Sequence, residues 1–334
     1  MTKVRWGVLG VARIAVTKVI PAMQRGDLCE ITGIASRDLS RARDAAQKLG
    51  IRKPYGSYDE MLADPEIEAI YNPLPNHMHV PWSIRAAKAG KHVLCEKPIG
   101  MNAGEALDLI AARDREGVVM GEAFMFVVHP QWVRTKELIR SGAIGSLRYI
   151  AGTFSYFKLE PDNIRNIREY GGGGLMDIGC YPIKCSRWIF EEEPARISAS
   201  IVRYPNFGAD ILTSAVLEYP SGHCVFSCST QAAPCQSMLF CGTEGRIEVE
   251  IPWNAPPMET TRIQVYDSRG MRVEEFPPCD QYTIQGDLFS RAIRERTPPA
   301  VTLEDARRTM QVIDAVLRAA DRSPATLSSG EGAG

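Results

Sequence analysis

Asp177 and Tyr181 stand four residues apart in a stretch that reads as a helix, so both are expected to project from one face. A carboxylate and a phenol so placed can hold and deprotonate an alcohol. Oxidising a hydroxyl requires a base for its proton as hydride leaves carbon. A free tyrosine, with a pKa of about 10, keeps its proton at neutral pH, and an ammonium beside it favours the phenolate. Lys97, in Glu96-Lys97-Pro98 at the end of a predicted strand, could supply that charge. The two would then titrate as a pair. None of this requires a metal, and none is expected.

A second constellation is suited to phosphate. Gly10-Val-Ala12-Arg13-Ile14-Ala15 follows the apolar run Val4 to Leu9 and opens a helical pattern from about Arg13 to Gln24. It fits the dinucleotide fingerprint, with Ala at the second and third glycine positions. The first glycine allows the tight turn, and the helix start presents free N–H groups to a pyrophosphate. The next strand, Ile31 to Ala35, ends in Ser36-Arg37, where an NAD site usually carries Asp or Glu. A hydroxyl and a guanidinium suit a 2′-phosphate, and Arg41 lies one turn further on. NADP is therefore expected, with NAD open through Asp38. Asn72-Pro-Leu74-Pro75-Asn76-His-Met-His79 and Glu96-Lys97-Pro98 both fall at carboxyl ends of predicted strands, where open α/β sheets bind ligands.

The elements that must position these groups are α/β. Up to about Ala123, apolar strands alternate with helices (Leu39 to Leu49, Tyr58 to Leu62, Ile84 to Ala89, Ala103 to Arg115). That is the signature of a doubly wound parallel Rossmann sheet covered on both faces. Beyond it, a helix from Pro130 to Ile139 and a strand from Leu147 to Phe157 precede Gly171 to Gly174 and a helix through Tyr181 to Phe190. Strand-like runs follow without helices between them: Ile197 to Val202, Leu212 to Leu217, Cys224 to Ser229, Ser237 to Phe240 and Ile247 to Ile251. These predict an α+β domain with a large, mostly antiparallel open sheet. The expected domains are 1–123, binding the dinucleotide, and 124–334, binding substrate and a second copy of the chain. Leu303 to Ala320 reads as a closing helix and Ser328 to Gly334 as a tail.

These motifs, with Ala123-Phe-Met125 at the junction and Gly172-Gly-Gly-Leu-Met-Asp177-Ile-Gly179-Cys-Tyr181, resemble a known family over essentially the whole chain. It is the Gfo/Idh/MocA family of glucose–fructose oxidoreductase, inositol dehydrogenase and rhizopine-catabolism oxidoreductases. Glu96-Lys97-Pro98 combined with Asp177 and Tyr181 is the specific signal. The resemblance implies that Lys97 sits between nicotinamide and substrate, that the Lys97–Pro98 bond is often cis, and that Asp177 holds the substrate. Tyr181 occupies a position that is His in many members, which places the chain nearer the branch of D-xylose dehydrogenase and dihydrodiol dehydrogenase. Cofactor contacts are expected from Gly10, Ala12, Arg13, Ile14, Ser36, Arg37, Arg41, Leu74, Pro75, Asn76, His79, Glu96 and Lys97. Substrate contacts are expected from Lys97, Asp177 and Tyr181. Asn163 and Arg165 would join them, bonding several hydroxyls, unless their stretch is an exposed loop. The implied activity is an NADP-dependent aldose or pyranose dehydrogenase. The alternatives are a trans-dihydrodiol dehydrogenase, a keto-sugar reductase, or a non-catalytic dinucleotide-binding sensor, a class that usually lacks the lysine or its partner.

Composition narrows the partners. A net charge of −1 gives no general attraction to nucleic acid or an anionic membrane. No apolar run is long enough to span a bilayer, and the first residues do not read as a signal peptide, so a cytoplasmic protein acting on a sugar or cyclic polyol is expected. The nine cysteines are odd in number and contain no C-x-x-C, which points to reduced thiols. Along Cys224 to Ser229 alternate residues on both faces are apolar or small, so one sheet face should seek a partner, giving a homodimer or homotetramer. The alternative cover for that face is the segment Pro252 to Met258.

Overall fold

The computed structural model describes residues 1–322, and the expected Ser328–Gly334 tail lies outside them. The first sheet contains β1 (Val4–Leu9), β2 (Cys29–Ala35), β3 (Lys53–Tyr55), β4 (Ala69–Asn72), β5 (His92–Glu96) and β6 (Met120–Ala123). Its order is β3-β2-β1-β4-β5-β6, and every pairing is parallel. The strand order reverses between β1 and β4, so the ligand crevice is expected at their carboxyl ends. After β1, residues 13–24 are helical, with a π-helical turn (Ala15–Val19) leading into α1 (Ile20–Gln24). The other crossovers carry α2 (Leu39–Leu49), α3 (Tyr58–Ala63), α4 (Asn76–Lys88) and α5 (Ala103–Glu116). Asp38, the residue left open for NAD, caps α2 by accepting from Ser40 N at 2.9 Å.

The second half holds α6 (Pro130–Arg140), β7 (Leu147–Phe157), α7 (Cys180–Phe190), β8 (Arg196–Arg203), β9 (Asp210–Glu218), β10 (His223–Ser229), β11 (Gln231–Gly242), β12 (Arg246–Val249), β13 (Thr261–Asp267) and β14 (Gly270–Phe276), then α8 (Gln281–Glu295) and α9 (Leu303–Asp321). The strands form one eight-stranded sheet, β14-β13-β12-β11-β7-β10-β9-β8. It is antiparallel except where β7 and β10 run parallel, side by side. Its inner face packs Ile150, Phe154, Phe226 and Phe240 into the core beside Tyr181, Trp132 and Trp253.

The outer face differs in character. Val216, Val225, Ala151 and Leu239 lie in register across β9, β10, β7 and β11. The row beside them is Ser214, Ser227, Thr153 and Ser237. The Pro252–Met258 segment does not cover this face, because Trp253 is buried on the core side against Trp132, Phe126 and Tyr181. Nor does α8. Its Ser290 accepts from Trp6 Nε1 at 3.1 Å, Asp287 accepts from Leu28 N at 2.8 Å, and Arg294 pairs with Glu68 at 2.7 Å. That helix therefore packs on the first sheet, although the chain reaches it only after the second. The nine cysteines are all free thiols, six of them buried. No helix among the described residues is long and apolar enough to cross a membrane.

Candidate active site

A cavity of about 700 Å³ opens between the carboxyl ends of the first sheet and the inner face of the second, within the range of small-ligand sites. One wall is the turn after β1, with Ala12, Arg13 and Ile14 lining it. Gly10 takes φ +82°, and a Cβ there would meet the Leu74 side chain at 3.0 Å. Glycine is thus required both by the backbone and by the closeness of the next loop. The first N–H groups of a helix have no partner within it, and the helix start at Ala12, Arg13 and Ile14 lines the cavity, an arrangement that suits a pyrophosphate.

Lys97 enters from the end of β5, and its peptide bond to Pro98 is cis. The Gly-rich run brings Asp177 to meet it. Gly173 adopts φ +127°, against the side chain of Asp210, and that carboxylate accepts from Leu175 N at 2.7 Å, fixing the start of the helix. The next turn, Leu175–Gly179, is π-helical and runs into α7. Lys97 Nζ donates to the Asp177 carbonyl at 2.7 Å and lies 3.4 Å from its Oδ1. Oδ2 accepts from Arg165 Nε at 2.9 Å and from Tyr156 Oη at 2.6 Å. Burial pushes the Asp177 carboxyl up, but Lys97 and Arg165 outweigh it and hold the group well below the usual carboxylate range. Burial opposes the Lys97 ammonium in turn, and Asp177 overcomes that, so its pKa is raised.

Tyr181 departs from the expected geometry. The π-turn breaks the four-residue alignment of an α-helix, and the hydroxyl is directed at Met125 Sδ, 3.7 Å away. Lys97 Nζ lies over the ring face, 5.1 Å from its centroid, as a cation–π pair rather than at the oxygen. Burial holds the phenol well above its ordinary pKa, so the expected phenolate is replaced by a neutral hydroxyl.

Several expected residues line the cavity together: Ala12, Arg13, Ile14, Leu74, Asn76, His79, Glu96, Lys97, Arg165, Asp177 and Tyr181. Asn76 also ties the two halves of the molecule by donating to Gly171 O at 2.8 Å. Glu96 is half-buried and accepts from Tyr71 Oη at 2.6 Å. Others stand apart from the lining. Asn163 caps the short turn before Arg165, accepting from its N–H at 3.1 Å. Pro75 is the residue that enters α4. Ser36 is buried and accepts from Asp38 N at 3.2 Å, while Arg37 and Arg41 are exposed beyond the end of β2. Tyr156, Tyr282, Lys18 and Asn254 line the cavity without having been foreseen. Only Tyr156 had a signal, as an aromatic in a recognised strand beside a polar stretch.

Residues 4–124 match the family model described as an oxidoreductase family with an NAD-binding Rossmann fold, and residues 132–248 match the GFO/IDH/MocA C-terminal domain. The chain is 46% identical over 328 residues to an uncharacterised oxidoreductase of Rhizobium meliloti, covering 96% of this chain and 98% of that protein. It is 36% identical to D-xylose 1-dehydrogenase (NADP(+)) 2 of Haloferax volcanii, again covering 96% and 98%. Among solved structures it is similar to a 3-ketoreductase of Actinomadura kijaniata in complex with NADP and TDP-benzene, with a TM-score of 0.90 and 28% identity over 95% of this chain and 98% of that one.

Proposed function

The chain belongs to the Gfo/Idh/MocA oxidoreductase family, and from that premise we propose that it transfers hydride between NADP and a sugar-like substrate, with Lys97, Asp177 and Tyr181 at the reacting centre. The observation that carries the reading is the Asp177 carboxylate, held by Lys97 from the first sheet and by Arg165 and Tyr156 from the second half, inside one cavity. Nicotinamide bound there would supply or accept the hydride. The turn from Gly10 to Ile14 would hold its pyrophosphate, and Arg37 and Arg41 would meet a 2′-phosphate.

Asp177, Arg165 and Tyr156 bind and orient hydroxyls of the substrate, and Phe154, Tyr170 and Tyr282 exclude water around the ring. Lys97 meets the oxygen at the reacting carbon, and Tyr181 exchanges its proton once its hydroxyl turns from Met125 Sδ toward that oxygen. Lys97 and Tyr181, both with raised pKa values, hold protons that can pass to a carbonyl oxygen, which supports keto-sugar reduction as the second reading beside aldose oxidation. A panel of aldoses, keto-sugars and cyclic diols, assayed by nicotinamide absorbance with NADP and NAD in both directions, tests this reading. No turnover with any of them would end it.

The outer face of the eight-stranded sheet supports a homodimer or homotetramer. Its aligned row of valine, alanine and leucine and its row of serine and threonine offer an uncharged surface on which a second copy can lie.

A further inference from the structure

The peptide unit that follows Pro98 is gripped at both polar ends by buried titratable side chains. The Pro98 carbonyl oxygen lies 2.8 Å from His79 Nδ1, and the Ile99 N–H donates to Glu122 Oε1 at 2.8 Å. The two side chains come from different elements, α4 and β6, and are 1% and 2% exposed. We infer that His79 and Glu122 are positioning residues that set where the Lys97 ammonium stands by fixing the plane of the Pro98–Ile99 peptide. The inference rests on the role assigned to Lys97 above.

A peptide unit is rigid and planar, so holding its oxygen and its hydrogen fixes its orientation. The proline ring fixes φ on the preceding side, so little slack remains between that plane and the Lys97 backbone. His79 was expected to touch cofactor, but both of its ring nitrogens face protein carbonyls. Nε2 lies 2.7 Å from Leu74 O, on the turn that closes over Gly10. A neutral imidazole carries one N–H, and burial draws this one down to a pKa of about 4. One ring thus touches both the lysine turn and the dinucleotide turn through their carbonyls. Glu122 uses one oxygen on Ile99, while its Oε2 has no hydrogen-bond partner among the described residues. Lys184 of α7 favours the charged form of Glu122 electrostatically, and Lys184 in turn pairs with Asp305 of α9. The grip on Ile99 thus backs onto the helices of the second half. The carboxylate gives the Ile99 N–H its acceptor while burying a second oxygen that no group among the described residues satisfies, which an amide or an apolar side chain would avoid.

Four variants separate positioning from packing. Asparagine at 79 puts an amide nitrogen near the place of Nδ1, and glutamine puts one near Nε2. Glu122→Gln keeps an acceptor for Ile99, and Glu122→Leu removes it. Each is measured for kcat, KM, NADPH affinity by fluorescence titration, melting temperature, and hydrogen exchange of the peptide containing Ile99. Glu122→Leu is expected to lower kcat about tenfold or more, with KM and NADPH affinity nearly unchanged and exchange at Ile99 accelerated. Glu122→Gln should recover most of that loss, and His79→Asn should retain more kcat than His79→Gln. Equal kcat in the two Glu122 variants, unchanged exchange at Ile99, or losses that merely follow melting temperature would overturn the inference. The exchange readout decides it even if no substrate is turned over, which would count against the proposed function alone.

Discussion

Asp177→Asn is the sharpest perturbation of the site. It keeps the shape of the side chain and removes the charge that two cations share. The Asp177 and Lys97 side chains are 16% and 13% exposed, whereas Arg165 is 42% exposed and can recover water. Removing one member of a buried pair costs roughly 3–5 kcal/mol. The exposure of Arg165 puts the expected stability loss near the lower end, about 3 kcal/mol. Lys97 would keep the backbone carbonyl at 177 and the Tyr181 ring, but its ammonium would lose the carboxylate that raises its pKa. At about 1.36 kcal/mol per decade, a loss of that size at the reacting centre is roughly a hundredfold fall in kcat/KM. The sign with pH follows from linkage. The folded pKa of Asp177 lies below its unfolded value, so its contribution is fully present above about pH 4 and is lost as pH falls. Urea midpoints of wild type and variant should therefore differ at neutral pH and converge in acid. A kcat/KM within about threefold of wild type, or midpoints separated equally at every pH, would refute the argument.

Lys97→Met should abolish most turnover, about a hundredfold or more, while NADPH affinity by fluorescence stays near wild type. Arg37→Ala should weaken NADP by about 1.5–3 kcal/mol and spare NAD, read by titration calorimetry with both cofactors. An unchanged NADP affinity would move that role to Arg41 or Ser36. Tyr156→Phe removes one of the charge-assisted bonds to Asp177, so KM for the sugar should rise about tenfold with NADPH affinity intact. Leu239→Lys places a charge in the middle of the outer sheet face, and light scattering should show a smaller assembly than wild type. A wild-type monomer at micromolar concentration would remove the interface altogether.

What the sequence revealed divides along physical lines. The boundaries of α2 and β7 agree with the sequence reading at both ends, because each carries a continuous periodic pattern with a clear start and stop. The three-residue β3, centred on Pro54, is too short to show alternation, and it closes an edge. The β13–β14 hairpin escapes the sequence reading for another reason: β13 alternates buried Thr261, Ile263 and Val265 with polar residues and β14 buries none of its own, so no apolar run marks it. In the site, Lys97, Asp177 and Arg165 could be picked out from motif and residue type. The orientation of the Tyr181 hydroxyl could not, because a π-turn leaves no periodic trace in the sequence. Tyr156 and Glu122 belong to the site only through contacts between distant elements, Tyr156 with Asp177 and Glu122 with Ile99.

The placement of α8 bears on how the molecule comes into being. Trp6 is buried against Phe289 and bonded to Ser290, so the first strand made waits for nearly the last helix made. At translation rates of about 5–20 residues per second, that delay is roughly 15–60 s. Throughout it, the nascent nucleotide domain shows the ribosome-side world an apolar groove where α8 belongs. Synthesis of residues 1–123 by themselves should therefore give an aggregating fragment, and supplying α8 as a separate peptide should rescue it. The gene cannot be cut at the boundary between its two sheets without cutting through a core.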